Sequence, residues 1–375
     1  MPRSGRPFDP ARRRVLQAGA ALSGLAAAGR PLGALAANRA AADAPASERV
    51  LSRIAFGSCA DQTKAQPIWD AVVAARPDLF AFLGDTVYAD TTDMDAMRAA
   101  YDRLAAKPGF QALREATQVV AVWDDHDYGA NDAGRGYPKK QEARRIFLDA
   151  FGEPADSPRR TRPDGLYTST TFGPAGRRVQ VILLDTRWNR SPLPKVDGET
   201  FDAERRPANR GPYLPTDAPG ATLLGEAQWT WLAARLREPA ELRLICTSVP
   251  FLADFTGWET WANVPREKQR MIDTIAETGA SGVLFLSGDT HYAEFSQLDA
   301  GTPYPLWEAV SSSLTHTWSD RAPSRTRVGP TVNVDNFGLV RIDWEAARPS
   351  VSLEIRDGQG ALRKQTLLPL DTLRA

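Results

Sequence analysis

Histidine and cysteine are scarce in this chain: 375 residues include three histidines and two cysteines. Two thiols, Cys59 and Cys246, are too few for a disulfide scaffold and lack zinc-ribbon spacing. A single Cys59–Cys246 bridge stays open at this point, because an oxidising compartment would allow it. Net charge is lacking too. The 46 basic and 46 acidic residues cancel, which argues against a general affinity for nucleic acid or anionic membranes. No internal repeat is present, and the N-terminal apolar run before Arg30-Pro31 is too short to cross roughly 30 Å of hydrocarbon as a helix.

That N-terminal run reads as an address. Arg12-Arg13-Arg14-Val15-Leu16-Gln17 precedes an Ala/Leu/Gly stretch ending at Ala28, and Ala34-Leu35-Ala36 offers small residues for cleavage. Basic, apolar and small residues in that order make a signal peptide over residues 1–36, and the paired arginines resemble the twin-arginine type. The expectation is an exported protein, periplasmic or extracellular, handled by the twin-arginine export machinery, with no stable membrane span. That route carries folded proteins, which suits an enzyme that takes up a cofactor before export. Residues 37–49 are rich in Ala, Pro and Ser and read as a linker, leaving residues 50–375 as a single domain.

Short apolar runs are abundant. Arg53–Phe56, Leu79–Leu83, Val119–Trp123, Val179–Leu184, Leu242–Thr247, Val283–Ser287, Leu306–Val310, Leu339–Trp344 and Val351–Ile355 are rich in Val, Ile, Leu and Phe and bounded by turn formers, which predicts strands. Asp93–Lys107, Gln141–Phe151, Glu226–Glu238 and Arg266–Thr278 carry helical spacing. The alternation predicts a sheet, or two stacked sheets, flanked by helices. Asp185–Leu223 breaks the rhythm and reads as a long loop insertion, functional or disordered.

Chemistry follows the strands. Gly57-Ser58-Cys59, Gly84-Asp85-Thr86-Val87-Tyr88, Asp124-Asp125-His126-Asp127, Asp185-Thr186-Arg187 and Gly288-Asp289-Thr290-His291 each come just after an apolar run. Sites in open α/β sheets form outside the carboxyl ends of strands. Taken singly, a Gly-Asp pair is a common turn. Four adjacent ionisable residues, however, repel one another and call for cations or donors, and the recurrence at several strand ends points to a metal centre. Carboxylates suit hard cations, while a thiolate and an imidazole suit transition metals. Tyr88 could add a phenolate, which favours Fe(III). Such a mixed set fits two or more metals sharing Asp85, able to orient a phosphate and generate a hydroxide nucleophile. His126 is the natural proton donor to the leaving oxygen.

In this order the motifs, with Asn131 following the acidic run, resemble the alkaline phosphatase D (PhoD)-like metallophosphoesterases. The resemblance covers roughly residues 53–295. It implies a four-layer αββα sandwich of two stacked mixed sheets flanked by helices. Bacterial members often carry an additional β-rich N-terminal domain, and no separate one is expected here, because the first motif follows the linker closely. The resemblance also implies Fe(III) and Ca(II), although other divalent metals suit an oxygen-rich set. Carried over by position, Cys59, Asp85, Tyr88 and His291 resemble the iron ligands, and Asp85 and Asp289 the calcium ligands, helped by Asp125 or Asn131. His126 takes the place of the catalytic histidine. Arg187, with Asp185 before it, is a candidate substrate contact, because guanidinium matches phosphate in a bidentate way. Asp127 departs from the pattern, since many relatives carry glutamate after the histidine.

The function so implied is an exported hydrolase of phosphate monoesters, diesters or both. A phospholipase D-like or wall-polymer-directed phosphodiesterase is the alternative among enzymes. A calcium-stabilised cell-surface protein without activity is the alternative of another class. Trp258, Trp261, Tyr292, Trp307 and Trp318 are assigned mainly to packing, with a substrate mouth as the second reading. His316 follows a strand and a serine run and could reach the site, with a surface histidine as the favoured reading, and Cys246 reads as a buried thiol.

Overall fold

The computed structural model describes residues 45–319 and 321–374. The leader and most of the linker expected at the N-terminus lie outside these residues. One sheet is built from β1 (Arg53–Gly57), β2 (Leu79–Leu83), β3 (Gln118–Val122), β11 (Asn336–Asp343), β12 (Ser350–Asp357) and β13 (Leu362–Pro369), in the order β13-β12-β11-β1-β2-β3. A second sheet uses β4 (Thr168–Phe172), β5 (Val179–Leu183), β6 (Leu242–Cys246), β7 (Val283–Ser287), β8 (Ala293–Leu298), β9 (Leu306–Ser311) and β10 (Arg327–Val332), in the order β10-β8-β9-β7-β6-β5-β4. Both sheets are mixed. β1, β2 and β3 run parallel, as do β5, β6, β7 and β9, while the outer strands pair antiparallel. The two sheets stack around one apolar core with helices outside, which is the expected architecture.

Local chemistry explains the elements. All five residues of β2, β5, β6 and β7 are buried, as continuous apolar strands covered on both faces should be. Helix Met94–Ala105 starts where the Asp93 carboxylate accepts from the Asp95 and Ala96 amides. Helix Pro265–Thr278 opens on proline and stops at Gly279 in the left-handed region. The nine expected strands are all present. β4, β8, β10 and β13 have no counterpart among the apolar runs. Of these, β4, β10 and β13 lie at sheet edges or beyond the parallel core, where polar residues and the Gly329-Pro330 pair are tolerated.

The insertion spanning Asp185–Leu223 is a packed excursion. Lys195 bridges Tyr213 antiparallel, and the Val196 amide donates to the Pro212 carbonyl at 2.9 Å. The chain is also packed before Val50: the buried Arg49 donates to Gln118 Oε1 at 2.5 Å and lies 4.9 Å over the Phe172 ring. Cys59 and Cys246 are both free, so the bridge left open by the sequence is not formed. No helix among the described residues is long and apolar enough to cross a membrane.

The strand bearing Cys59 depends on one glycine. Gly338 of β11 pairs with Phe56 of β1, and a Cβ there would lie 2.1 Å from the Phe56 ring. Gly338→Ala should therefore destabilise the protein by about 1–3 kcal/mol through overpacking. In a Phe56→Leu background the same substitution should cost less. Denaturant melts of the four proteins check this, and an equal loss in both backgrounds would assign the clash elsewhere.

Candidate metal centre

The carboxyl ends of β1, β2 and β3 meet those of β5, β6, β7 and β9 at one cleft. Its wall includes Asp85, Asp125, His126, Asn131, Asp289 and His291, and it encloses about 820 Å³ of empty space, open mouth included. The backbone there is unusual. Cys59 (φ 62°), Asp85 (φ 50°), Asp289 (φ 71°) and His291 (φ 59°) all occupy the left-handed region, which disfavours residues other than glycine. Each such residue costs on the order of 1–3 kcal/mol unless its surroundings over-determine it. They do so here: the Ala60 amide donates to the Asp85 carbonyl at 2.8 Å, Gly288 to Ser248 at 2.9 Å, and Thr315 to Cys59 at 3.1 Å. Gly84, at φ 95°, lets the end of β2 approach the end of β3, since a Cβ would fall 2.3 Å from that of Asp124. The repeated Gly-Asp pairs are thus turns that also deliver carboxylates.

One group of donors surrounds Asp85. The Cys59 thiol lies 3.5 Å from Asp85 Oδ2, and the Tyr88 hydroxyl lies 3.4 Å from the same oxygen and 3.1 Å from His291 Nε2. Ligand atoms of Cys59, Asp85 and His291 all fall within 4.8 Å of one another. The same spacing holds for Asp85, Asp125 and His126, for Asp124, Asp125 and Asp289, and for Asp125, Asp132 and Glu259. Asp125 thus joins three of these four groups, while Asn131 lines the cleft beside them.

Electrostatics favour a cation. Burial, then the charges of Asp125 and Cys59, hold Asp85 well above the usual carboxylate range. Burial, then Asp124 and Glu259, does the same to Asp289. Burial pushes the Cys59 thiol up to about 11. It also pushes His291 down to about 3, keeping the imidazole in the neutral form that binds metals. Asp85 Oδ1, Asp124 Oδ2, Asp125 Oδ1 and His291 Nδ1 are buried without a hydrogen-bond partner. Unpartnered buried carboxylate oxygens are costly, and bound cations would satisfy them while relieving the mutual repulsion. The donor set therefore fits metal.

His126 lines this cleft, its Nδ1 lies 2.7 Å from Asp90 Oδ2, and its ring centroid is 4.3 Å from that of Tyr88. Burial opposes its charging, but the Asp90 hydrogen bond and the nearby Asp125 outweigh burial and raise it to about 9. Arg187 and Asp185, expected at the substrate, are fully buried, and neither lines the cleft. The Arg187 guanidinium donates to Asp124 and, at 2.6 Å, to Glu259 Oε2, and its Nη2 lies 3.7 Å from Asp125 Oδ1. Asp185 accepts from Trp123 Nε1 at 3.0 Å and from the amides of Leu166, Arg187 and Trp188. Asp185 is held by protein donors, and Arg187 pairs with two acids while its Nη2 is buried without a hydrogen-bond partner. Asp127 is likewise turned inward, accepting from the Asp124 amide at 2.6 Å and the Thr86 amide at 3.0 Å. The residue after His126 therefore serves as a backbone clasp.

His316 is not a surface histidine. Its ring stacks 4.3 Å from His291 and lies 5.4 Å from Tyr88, so all three histidines of the chain gather here. Trp258, Tyr292 and Trp318 line the cleft, whereas Trp261 is buried in the core. Sequence reasoning missed Asp90, Asp124, Asp132 and Glu259 as functional positions. The signal for Asp132 was its place next to Asn131. Glu259 follows a tryptophan in a loop and carries no motif.

A family model described as PhoD-like phosphatase matches residues 54–352. Alkaline phosphatase D of Bacillus subtilis (strain 168) is 22% identical over 284 residues, covering 65% of this chain and 46% of that protein, so the chain spans about half the length of this relative. The solved structure of PhoD aligns with a TM-score of 0.65 at 17% identity, over 86% of this chain and 69% of the other. GAP50, described as the anchor in the inner membrane complex of Plasmodium, aligns with a TM-score of 0.52 at 11% identity, over 85% and 89% of the two chains. At these identities the two structural likenesses show the fold alone. The family model spans most of the chain, including every strand end that supplies a candidate ligand, and the chain belongs to the PhoD-like phosphatase family.

Proposed function

We propose that this chain is an exported, metal-dependent phosphoesterase acting on phosphate monoesters, diesters or both. The observation that carries the reading is the set of buried, unpartnered carboxylate oxygens around Asp85, placed at a cleft beside a histidine held by Asp90. Cys59, Asp85, Tyr88 and His291 would hold Fe(III), because thiolate, phenolate and imidazole suit a transition metal. Asp85 and Asp289, with Asp125 and Asn131, would hold Ca(II) through oxygen ligands. Metals held there would supply concentrated positive charge for the phosphate and for the attacking water.

The remaining steps belong to the side chains. Asp90 holds His126 through Nδ1, leaving the other ring nitrogen for the leaving oxygen. As the ester P–O bond breaks, that nitrogen gives its proton to the departing alkoxide, releasing an alcohol. Arg187 acts at one remove, fixing Asp124 and Glu259 so that the carboxylates keep their places. Export rests on the paired arginines Arg12 and Arg13 ahead of the apolar run.

Metal-loaded protein should hydrolyse p-nitrophenyl phosphate or bis(p-nitrophenyl) phosphate. Stabilisation by calcium without any turnover would favour the purely structural role instead. Purified protein should contain iron and calcium near stoichiometry and show a visible tyrosinate-to-iron band that Tyr88→Phe abolishes. A colourless, iron-free and active protein would remove Cys59 and Tyr88 from the ligand set. His126→Ala should slow hydrolysis by about 10²–10⁴-fold for alkyl esters, the range for general acid catalysis, and much less for p-nitrophenyl esters, whose leaving group needs no proton. An equal loss on both would assign His126 a role other than proton donor. Expressed with its leader, the chain should be recovered outside the cytoplasm and retained inside when Arg12 and Arg13 are both changed to Lys; identical fractionation of the two would overturn the export reading.

A further inference from the structure

The cleft does not end at the metal ligands. A second hollow, with about 800 Å³ of empty space open to solvent, shares Trp258, Trp318 and Ala322 with it. Its other walls include Phe201, Arg206 and Asn209 from the Asp185–Leu223 insertion and Arg321 from the segment after β9. The proposed phosphoesterase chemistry uses none of these residues.

The aromatic rings form a connected path. The Trp318 ring stands edge-on to His291 at 4.8 Å and 88°, and edge-on to Trp258 at 5.7 Å and 66°. Trp258 in turn meets Phe201 at 6.2 Å and 89°. Trp318 is 41% exposed, although nothing in the core requires a tryptophan at the surface. Large aromatic surface left open beside a reaction centre gains most when a ligand covers it.

Two arginines, Arg206 and Arg321, stand at the outer end. The Arg206 guanidinium lies 4.7 Å over the Phe201 ring and pairs with Asp202 at 2.8 Å, both side chains being mostly exposed. Arg321 donates to the Asn333 amide oxygen at 3.4 Å and lines the same hollow. An arginine stacked on an aromatic ring, with a second guanidinium on the same wall, suits a planar anion.

We infer that this outer hollow is a subsite for the organic group of the phosphoester, and that it selects a planar group carrying a negative charge of its own. The inference rests on the phosphoesterase reading, which places the phosphorus at the metal ligands next to His291. The joined Trp258 and Trp318 rings then form the wall against which the first ring beyond the phosphorus packs, and Arg206 and Arg321 meet the distal charge. The long insertion, which the catalytic ligands do not use, becomes the outer wall of the specificity site.

Non-hydrolysable phosphonates test this by calorimetry on metal-replete protein, with methylphosphonate, phenylphosphonate and 4-carboxyphenylphosphonate as the three probes. Phenylphosphonate should bind about tenfold more tightly than methylphosphonate, as expected for one ring packed against a tryptophan wall. The added carboxylate should contribute about threefold more, the scale of an exposed ion pair, and that increment should vanish in an Arg206→Ala/Arg321→Ala double variant. Both arginines are exposed, so this variant should fold. Trp318→Ala should shrink the phenyl-to-methyl ratio, and Phe201→Ala, which does not touch His291, should reduce the carboxyphenyl affinity independently. Equal binding of methyl- and phenylphosphonate, or ratios unchanged in the variants, would overturn the subsite while ester turnover keeps the phosphoesterase reading intact. Failure of every phosphonate to bind, together with no turnover of any ester, would overturn that reading and the subsite with it.

Discussion

The Arg187 guanidinium ties the two sheets together at the end where the ligands gather. It leaves the end of β5, grips Asp124 at the end of β3, and reaches Glu259 in the segment after β6. Arg190 adds a second contact to Glu259 at 2.9 Å, and Ser248 steadies the same Asp124 oxygen at 2.6 Å. Burying a charge costs several kcal/mol unless it is paired and hydrogen-bonded. A fully buried arginine among three acids is therefore an arrangement in which every partner needs the others. Loss of the guanidinium would leave Asp124 buried with no cation bonded to it and Glu259 with Arg190 alone.

Strain accompanies this burial. Four candidate ligands sit in left-handed backbone, and two further acids at the site, Asp90 and Asp132, share that conformation. The sheets hold these turns by pairing the strands before them, and hydrogen bonds between neighbouring loops fix their carbonyls. The carboxylates then have few ways to move apart. A chain that could relax would spread its negative charges, whereas this one keeps them within cation-binding distance. Preorganisation of this kind places the cost of assembly in the fold, so that the site does not have to rearrange when substrate arrives.

Much of this was legible before any coordinates. Continuous apolar runs such as Leu79–Leu83 and Val283–Ser287 identify buried parallel strands, and the polar residues directly after them identify one end of the sheets. Cys59, Asp85, Tyr88, Asp125, His126, Asp289 and His291 could be named because each follows such a run, and Asn131 because the family resemblance supplied it; the structure brings them to one place. Arg187 illustrates what could not be read. An arginine after a strand serves equally well as a phosphate clamp or as a counter-ion. The choice depends on Glu259, which is remote in sequence and has no motif around it. His316 failed for a related reason, since only the stacking of the segment after β9 over His291 puts it at the centre. The left-handed turns were equally invisible, because Asp and His carry no mark of the conformation that the strand ends impose. Edge strands such as β13 hid behind alternating polar residues that solvent tolerates.

The pairing of β1 with β11 sets the order of events when the chain is made. Ile54 lies opposite Val340, and Phe56 opposite Gly338, so the strand that presents Cys59 waits for a partner encoded near the other end of the polypeptide. His291 and Ser312, which the Cys59 thiol neighbours at 3.2 Å through the serine hydroxyl, are also late to emerge. A nascent chain still lacking these segments holds its early acids without the walls that confine them. A cation held by Cys59, Asp85 and His291 would therefore need ligands from both ends of this stretch of chain, and the full set would exist only once those segments have folded together.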